Sequence, residues 1–136
     1  MIAVTRRYRF PAAHALRRAD FSEEENRRVY GKCANPNGHG HDYALEVTVG
    51  GPLRESGRVI EPERLDALVA SSVLARFSHR LLNDDALFAQ RVPTAENVAR
   101  AAHELLCGPI AQAGARLVGV RLRETRNNTF DYGELR

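Results

Sequence analysis

Two stretches of alternating apolar and polar residues lie in the first part of the chain, at residues 2–10 and 41–49. In each stretch the apolar side chains share one parity: Ile2, Val4, Tyr8 and Phe10 in the first, and Tyr43, Leu45, Val47 and Val49 in the second. Successive strand residues point to opposite faces of a sheet, so a period of two predicts half-buried β-strands.

The middle of the chain changes to helical spacing. Residues 62–77 begin with a proline suited to the first position of a helix and carry an apolar stripe: Leu65, Leu68, Val69, Val73 and Phe77. A second helix is predicted to begin after the capping residue Thr94 and to end at Gly108-Pro109. Its expected inner face is Val98, Ala101, Ala102, Leu105 and Leu106. A short helical turn fits between Ser22 and Val29.

Alternation returns near the end of the chain, around Val118–Leu122 and Thr129–Tyr132, across a turn predicted at Asn127-Asn128. The element order is therefore ββααββ. This order predicts a single α+β domain over residues 1–136, with a four-stranded antiparallel sheet and both helices on one face. Such a sheet has two edges, which favour pairing with further copies of the chain.

Composition narrows the class of protein. The chain is 43% hydrophobic and 27% charged, which is typical of a globular domain. Its net charge of +3 comes from scattered arginines offset by seventeen acidic residues, without the basic blocks expected of a nucleic-acid-binding protein. No apolar run suits a membrane span, and no signal peptide is indicated. The two cysteines form no disulfide framework, so we expect a cytoplasmic protein with reduced thiols.

Three histidines are candidate metal ligands. His39 and His41 are two positions apart at the start of the second strand, so their side chains share one face. His14 follows the first strand and can complete the set if the two strands are neighbours. Three neutral imidazoles leave an open coordination position, which is typical of catalytic zinc.

Cys33 stands six residues before His39 and allows two interpretations. It could be a fourth ligand that closes a structural site, or a thiolate base beside the metal. Of the other candidates, Cys107 is expected to be a small core residue and His103 a surface histidine without a partner.

These residues resemble the 6-pyruvoyltetrahydropterin synthase family. The resemblance rests on five segments in the same order: Phe10–His14, Glu24–Arg27, Gly31–Tyr43 with its Cys-to-His spacing, Pro93–Asn97, and Arg123–Thr125 followed by Asn127-Asn128. It implies the tunnelling fold, in which sheets join edge to edge into a trimeric barrel and two barrels stack as a homo-hexamer.

The resemblance also implies roles for particular residues. His14, His39 and His41 would bind Zn²⁺. Cys33 would be the catalytic base. His79, which follows Ser78 in the chain, would be its acid/base counterpart and would come from across a subunit interface. Glu124, Thr94 and Glu96 would form the pterin pocket. Glu124 would be the anchor, because its carboxylate matches two adjacent N–H donors on the edge of the pterin ring.

The implied activity is a zinc-dependent lyase reaction that converts 7,8-dihydroneopterin triphosphate to 6-pyruvoyltetrahydropterin with loss of triphosphate. The implied alternative is 6-carboxytetrahydropterin synthase, which makes a queuosine precursor from the same substrate. The spacing between Cys33 and His39 favours the pyruvoyl type. The family usually has aspartate where this chain has Ser78, so a third hypothesis is a zinc- and pterin-binding homologue with impaired catalysis.

Overall fold

The computed structural model describes residues 1–135, whose strands form one four-stranded antiparallel sheet with strand order β1-β2-β3-β4. The strands are β1 (Ile2–His14), β2 (His39–Gly51), β3 (Arg116–Thr125) and β4 (Asn128–Gly133). The predicted α+β class and sheet are therefore confirmed. Both of the first two strands are longer than predicted, because their pairing continues to the His14–His39 pair after the apolar alternation has ended.

The helices occupy the predicted regions. They are α1 (Glu23–Tyr30), α2 (Pro62–Val69), α3 (Ala75–Phe77) and α4 (Ala95–Gln112), with a π-helical segment at Ala70–Leu74 between α2 and α3. Short 3₁₀ helices lie at Gly31–Ala34, Leu82–Asp84 and Ala86–Phe88. The α1 helix begins at a complete capping box between Ser22 and Glu25, as its sequence predicts.

The predicted end of the last helix was wrong. Gly108 and Pro109 lie inside α4, which continues to Gln112. A proline removes one backbone donor, but Ile110 follows it and is fully buried in the core. The burial of that side chain offsets the lost hydrogen bond and keeps the last turn helical.

Two expectations for side chains on α4 were also wrong. Cys107 is exposed, because the buried stripe passes through Leu106 and Ile110 and leaves position 107 on the outer side. His103 does have a partner, since its ring contacts that of Tyr132 with centroids 5.0 Å apart.

One face of the sheet packs against the helices. Side chains of alternate strand positions, including Phe10, Tyr43 and Leu122, join those of the helices in a single buried cluster. The opposite face carries charged pairs such as Arg121 with Asp131. None of the helices in residues 1–135 is long and apolar enough to cross a membrane.

Candidate metal centre and active site

The pairing of β1 and β2 brings the three predicted histidines together. His14 ends β1 and lies opposite His39, and His41 lies opposite Ala12. Positions 12 and 14 of β1, and 39 and 41 of β2, therefore share the face of the sheet that also carries the buried Tyr43. The site is a consequence of strand register, because a shift of one residue would turn these imidazoles to the other face.

The imidazole nitrogens converge on one point. His14 Nε2 lies 3.1 Å from His39 Nε2 and 3.1 Å from His41 Nε2. Within the described part of the chain, these three residues form the group of ligand atoms, all within 4.8 Å of one another, that could hold a metal ion. The donor set is that of a divalent metal with an open coordination position.

His14 is held in place by its second ring nitrogen. The Nδ1 atom lies 2.8 Å from the carbonyl oxygen of Pro93, and donation to that oxygen leaves the Nε2 lone pair free for a metal. The Tyr43 hydroxyl lies 3.3 Å from the same nitrogen. Burial lowers the pKa of His14 to about 4, and burial also lowers the pKa of His41. At neutral pH both rings are therefore neutral, as metal binding requires.

Cys33 lies beside the histidines. It belongs to the 3₁₀ helix after α1, and its Sγ is 3.7 Å from His39 Nε2. Burial raises the pKa of the Cys33 thiol, and the nearby carboxylate of Glu124 raises it further. The group of mutually close imidazole nitrogens does not include this sulfur, which lies beside that group.

Glu124 reaches the same site from β3. Its Oε2 lies 3.9 Å from His14 Nε2, and its side chain is mostly buried. Burial raises the pKa of Glu124, and the negative charge of Glu96 raises it further. Glu96 lies in the first turn of α4. Thr94 caps that helix, where its hydroxyl accepts a hydrogen bond from the Asn97 N–H at 3.2 Å.

Ser78 and His79 follow α3 and are not part of the group of three histidines. His79 has a φ of 62°, and its backbone N–H donates to the carbonyl oxygen of Pro11 at 2.6 Å. Its exposed side chain lines a groove with Pro11, Asp42 and His41, so the groove adjoins one of the three histidines. Pro11 and Asp42 have the opposite parity to Ala12 and His41, so the groove is lined by residues from both faces of β1 and β2.

Three further residues support the site and were missed by the sequence reasoning. Tyr43 could have been found, because it is two positions after His41 on the same strand face. Pro93 acts through its backbone carbonyl, for which the sequence carries no signal. Asn83 hydrogen-bonds the backbone of Ala15, next to His14, and this contact requires the tertiary fold.

Comparisons with known proteins agree with this geometry. The family model described as 6-pyruvoyl tetrahydropterin synthase matches residues 3–134. The human 6-pyruvoyl tetrahydrobiopterin synthase is 37% identical over 131 residues, covering 95% of this chain and 89% of the relative. The Drosophila melanogaster protein of the same name is 40% identical over 98 residues, which are 71% of this chain and 58% of that relative.

A solved structure shows the same fold. The 6-pyruvoyl tetrahydropterin synthase of Caenorhabditis elegans matches with a TM-score of 0.83 and 33% identity, covering 97% of this chain and 94% of that one. A relative from Archaeoglobus fulgidus, 31% identical over 72% of this chain and 75% of its own length, is named a putative 6-carboxy-5,6,7,8-tetrahydropterin synthase.

Proposed function

Because the chain belongs to the 6-pyruvoyl tetrahydropterin synthase family, whose members are lyases, we propose that it converts 7,8-dihydroneopterin triphosphate to 6-pyruvoyltetrahydropterin. The observation that carries this proposal is the convergence of three imidazoles beside a thiol and a buried carboxylate. The reaction releases triphosphate, and oxidation of the substrate's side chain is balanced by reduction of its ring, so no redox cofactor is needed.

We propose Zn²⁺ as the resident ion, held by His14, His39 and His41. Tetrahedral ligands at about 2.1 Å from zinc lie about 3.4 Å apart, close to the 3.1 Å between these nitrogens. When bound, the ion supplies Lewis acidity toward the hydroxyl oxygens of the substrate and favours the thiolate form of Cys33. His14 is pre-oriented for this task by the carbonyl of Pro93.

Cys33 acts as the base in this proposal. Its sulfur lies near His39 Nε2, where it can take a proton from the substrate side chain bound at the histidines. Glu124 anchors the pterin ring, since its carboxylate can accept two parallel N–H bonds from the ring edge. Thr94 and Glu96, at the start of α4, complete the pterin pocket.

His79 returns the proton from a neighbouring subunit. Its exposure, in a segment that bonds to the edge strand β1, supports a role in another copy's site. We propose the homo-hexamer of the tunnelling fold, a dimer of trimers, as the assembly. The test is complementation: Cys33→Ala and His79→Ala proteins, each inactive, should regain part of the activity when unfolded together and reassembled. Mixtures that stay inactive would place both groups in one subunit.

The test of the reaction itself is product identification. Zinc-loaded protein is incubated with 7,8-dihydroneopterin triphosphate, and the products are identified by mass spectrometry. A pyruvoyl product and free triphosphate are expected, and a fully zinc-loaded protein that leaves the substrate intact would refute the proposal. The free Cys33 and Cys107 are consistent with the reducing cytoplasm, where we place the reaction.

The second candidate is the 6-carboxytetrahydropterin synthase reaction, which the Archaeoglobus relative favours. The same incubation separates the two, because that reaction releases acetaldehyde together with triphosphate. Ser78 stands where the family usually has aspartate, and this difference raises the third hypothesis, impaired catalysis. A large gain in rate for Ser78→Asp would support impairment, and an unchanged or lower rate would show that serine belongs to a working site.

A further inference from the structure

A basic groove opens beside the metal centre and has no part in the chemistry described above. Its volume is about 900 Å³, and its charged lining residues are Arg17, Glu23, Arg27 and Lys32. The metal ligand His39 lines the same groove. The groove therefore begins at the metal centre and extends along α1 and the 3₁₀ helix that follows it.

Two cations in this groove are available for a ligand. Arg17 is engaged within the protein, since it pairs with Glu23 and donates to the carbonyl oxygen of Ala34 at 2.6 Å. Arg27 and Lys32 are exposed, and neither forms an ion pair with any carboxylate in residues 1–135. A concave surface with unpaired cations favours a multiply charged anion.

The order of the groups across the site indicates which anion binds in the groove. Glu124 lies 3.9 Å from His14, His14 lies 3.1 Å from His39, and His39 lines the groove. A pterin ring held at Glu124 and a side chain held at the histidines leave the end of the substrate pointing away from Glu124. In the substrate of the proposed reaction, that end is the triphosphate.

We propose that Arg27 and Lys32 bind the triphosphate of the substrate in this groove. This inference rests on the proposed function for the identity of the anion. When the carbon–oxygen bond breaks, its electron pair remains on the triphosphate oxygen, so the leaving group gains negative charge beside the two cations. Lys32 is next to Cys33 in the chain.

Arg27 has a second explanation, which the chain itself allows us to separate. Arg27 and Arg28 both lie in the last turn of α1, where positive charge stabilises the carbonyl end of a helix. Arg28 shares that position but does not line the groove. Arg28→Gln is therefore the matched control for Arg27→Gln.

The test measures the affinity of zinc-loaded protein for inorganic triphosphate by isothermal titration calorimetry. We expect Lys32→Met and Arg27→Gln each to weaken binding about tenfold, and the double variant more than either. Arg28→Gln should bind as the wild type does. Equal affinity in the wild type and the double variant, or an equal loss in Arg28→Gln, would overturn the proposal. Thermal unfolding of each variant shows whether α1 remains intact.

Turnover separates this proposal from the proposed function. With the pterin substrate, the double variant should show a KM raised at least tenfold, and Arg28→Gln should keep the wild-type KM. Turnover by the double variant with an unchanged KM would refute the proposal that Arg27 and Lys32 bind the triphosphate, and would leave the proposed lyase function standing. A wild type that binds triphosphate through Arg27 and Lys32 but leaves the pterin substrate unchanged would support the triphosphate site and refute the proposed lyase function.

Discussion

His14 is bound into the protein more firmly than the two histidines of β2. It is fully buried, whereas His39 and His41 are half-buried, and both of its ring nitrogens have neighbours of fixed position. Its Nδ1 faces the Pro93 carbonyl, and its Nε2 faces the other two rings. A ring in this setting keeps one tautomer and one orientation, so His14 acts as the fixed point around which the metal site forms.

The burial of His14 predicts a loss of stability in acid for the metal-free protein. Its pKa is about 4 when folded, against an ordinary value of 6.5. Between these pH values the unfolded chain binds a proton that the folded protein does not, so lowering the pH favours unfolding. We expect this residue to remove about 3 kcal/mol of stability between pH 7 and pH 4. Urea titrations of chelator-treated protein measure it.

The control is His14→Gln, which lacks the titrating group while other groups continue to titrate. Its stability should fall by about 3 kcal/mol less than that of the wild type over the same pH range. Identical slopes for the two proteins would show that His14 titrates normally in the folded state.

Cys33 should be separable from the metal ligands by mutation. Cys33→Ala is expected to keep one zinc per chain and to lose activity by about 100-fold or more, because the substrate loses its base. His39→Ala should lose both zinc and activity. Metal content by plasma mass spectrometry, measured beside turnover, distinguishes the two. Loss of zinc from Cys33→Ala to the level of His39→Ala would identify the sulfur as a structural ligand.

The segment from His79 to Asn83 connects the open edge of β1 to the metal centre. The His79 N–H donates to the Pro11 carbonyl, the Ala13 N–H donates to the Arg80 carbonyl at 2.9 Å, and Asn83 bonds both backbone groups of Ala15 at 2.8 Å. The asparagine amide thus takes the place of a strand partner where β1 ends. One short segment fixes both the end of β1 that carries His14 and the position of His79.

This connection predicts that Asn83→Ala weakens metal binding as well as the fold. Two hydrogen bonds to Ala15 are lost, at a cost of about 1–3 kcal/mol in unfolding free energy. Because Ala15 follows His14, we also expect zinc affinity to fall about tenfold, measured by competition with a chelator. Asn127→Ala, in the exposed turn between β3 and β4, is the control and should change neither quantity. Unchanged zinc affinity in Asn83→Ala would limit that residue to stability.

The elements that sequence reasoning predicted are those in which side-chain pattern and backbone structure coincide. Tyr43 to Val49 alternate because one face of β2 is buried, and the histidine pair extends that register to the metal site. The end of α4 was missed because the proline signal is local, whereas the burial of Ile110 depends on the assembled core.

In the candidate site, too, some features follow from the local sequence and others depend on tertiary structure. The three candidate ligands, Cys33 and Glu124 could be proposed from residue type, spacing and family resemblance, and the structure brings them together. The contacts that orient them come from the Pro93 carbonyl and the Asn83 amide, distant in sequence from His14 and brought to it by tertiary structure alone. The groove beside Lys32 also depends on tertiary structure, because scattered arginines in a sequence show no common surface.

The sheet as a whole leaves apolar side chains at its two edge strands. Ile2 and Val4 of β1 are 54% and 36% exposed, and Tyr132 of β4 is 39% exposed. On β1, residues 79–81 cover only the half that ends at His14. Apolar edges that remain open are typical of surfaces that pair with another copy of the chain. This pattern supports the proposed edge-to-edge assembly, in which His79 would reach a neighbouring site.

Charge at either edge should therefore break the proposed assembly and, with it, the proposed activity. Val4→Lys and Tyr132→Lys each place a cation where a neighbouring strand would pack, so both proteins should sediment as smaller species than the wild type. Leu53→Lys is the matched control, since Leu53 is 53% exposed but lies in the loop after β2. Its sedimentation and turnover should be those of the wild type. If Val4→Lys and Tyr132→Lys dissociate yet keep full turnover, each subunit has a complete site and His79 acts within its own chain. A wild type that sediments as a monomer would remove the assembly altogether, because no second copy would then be present to supply the imidazole.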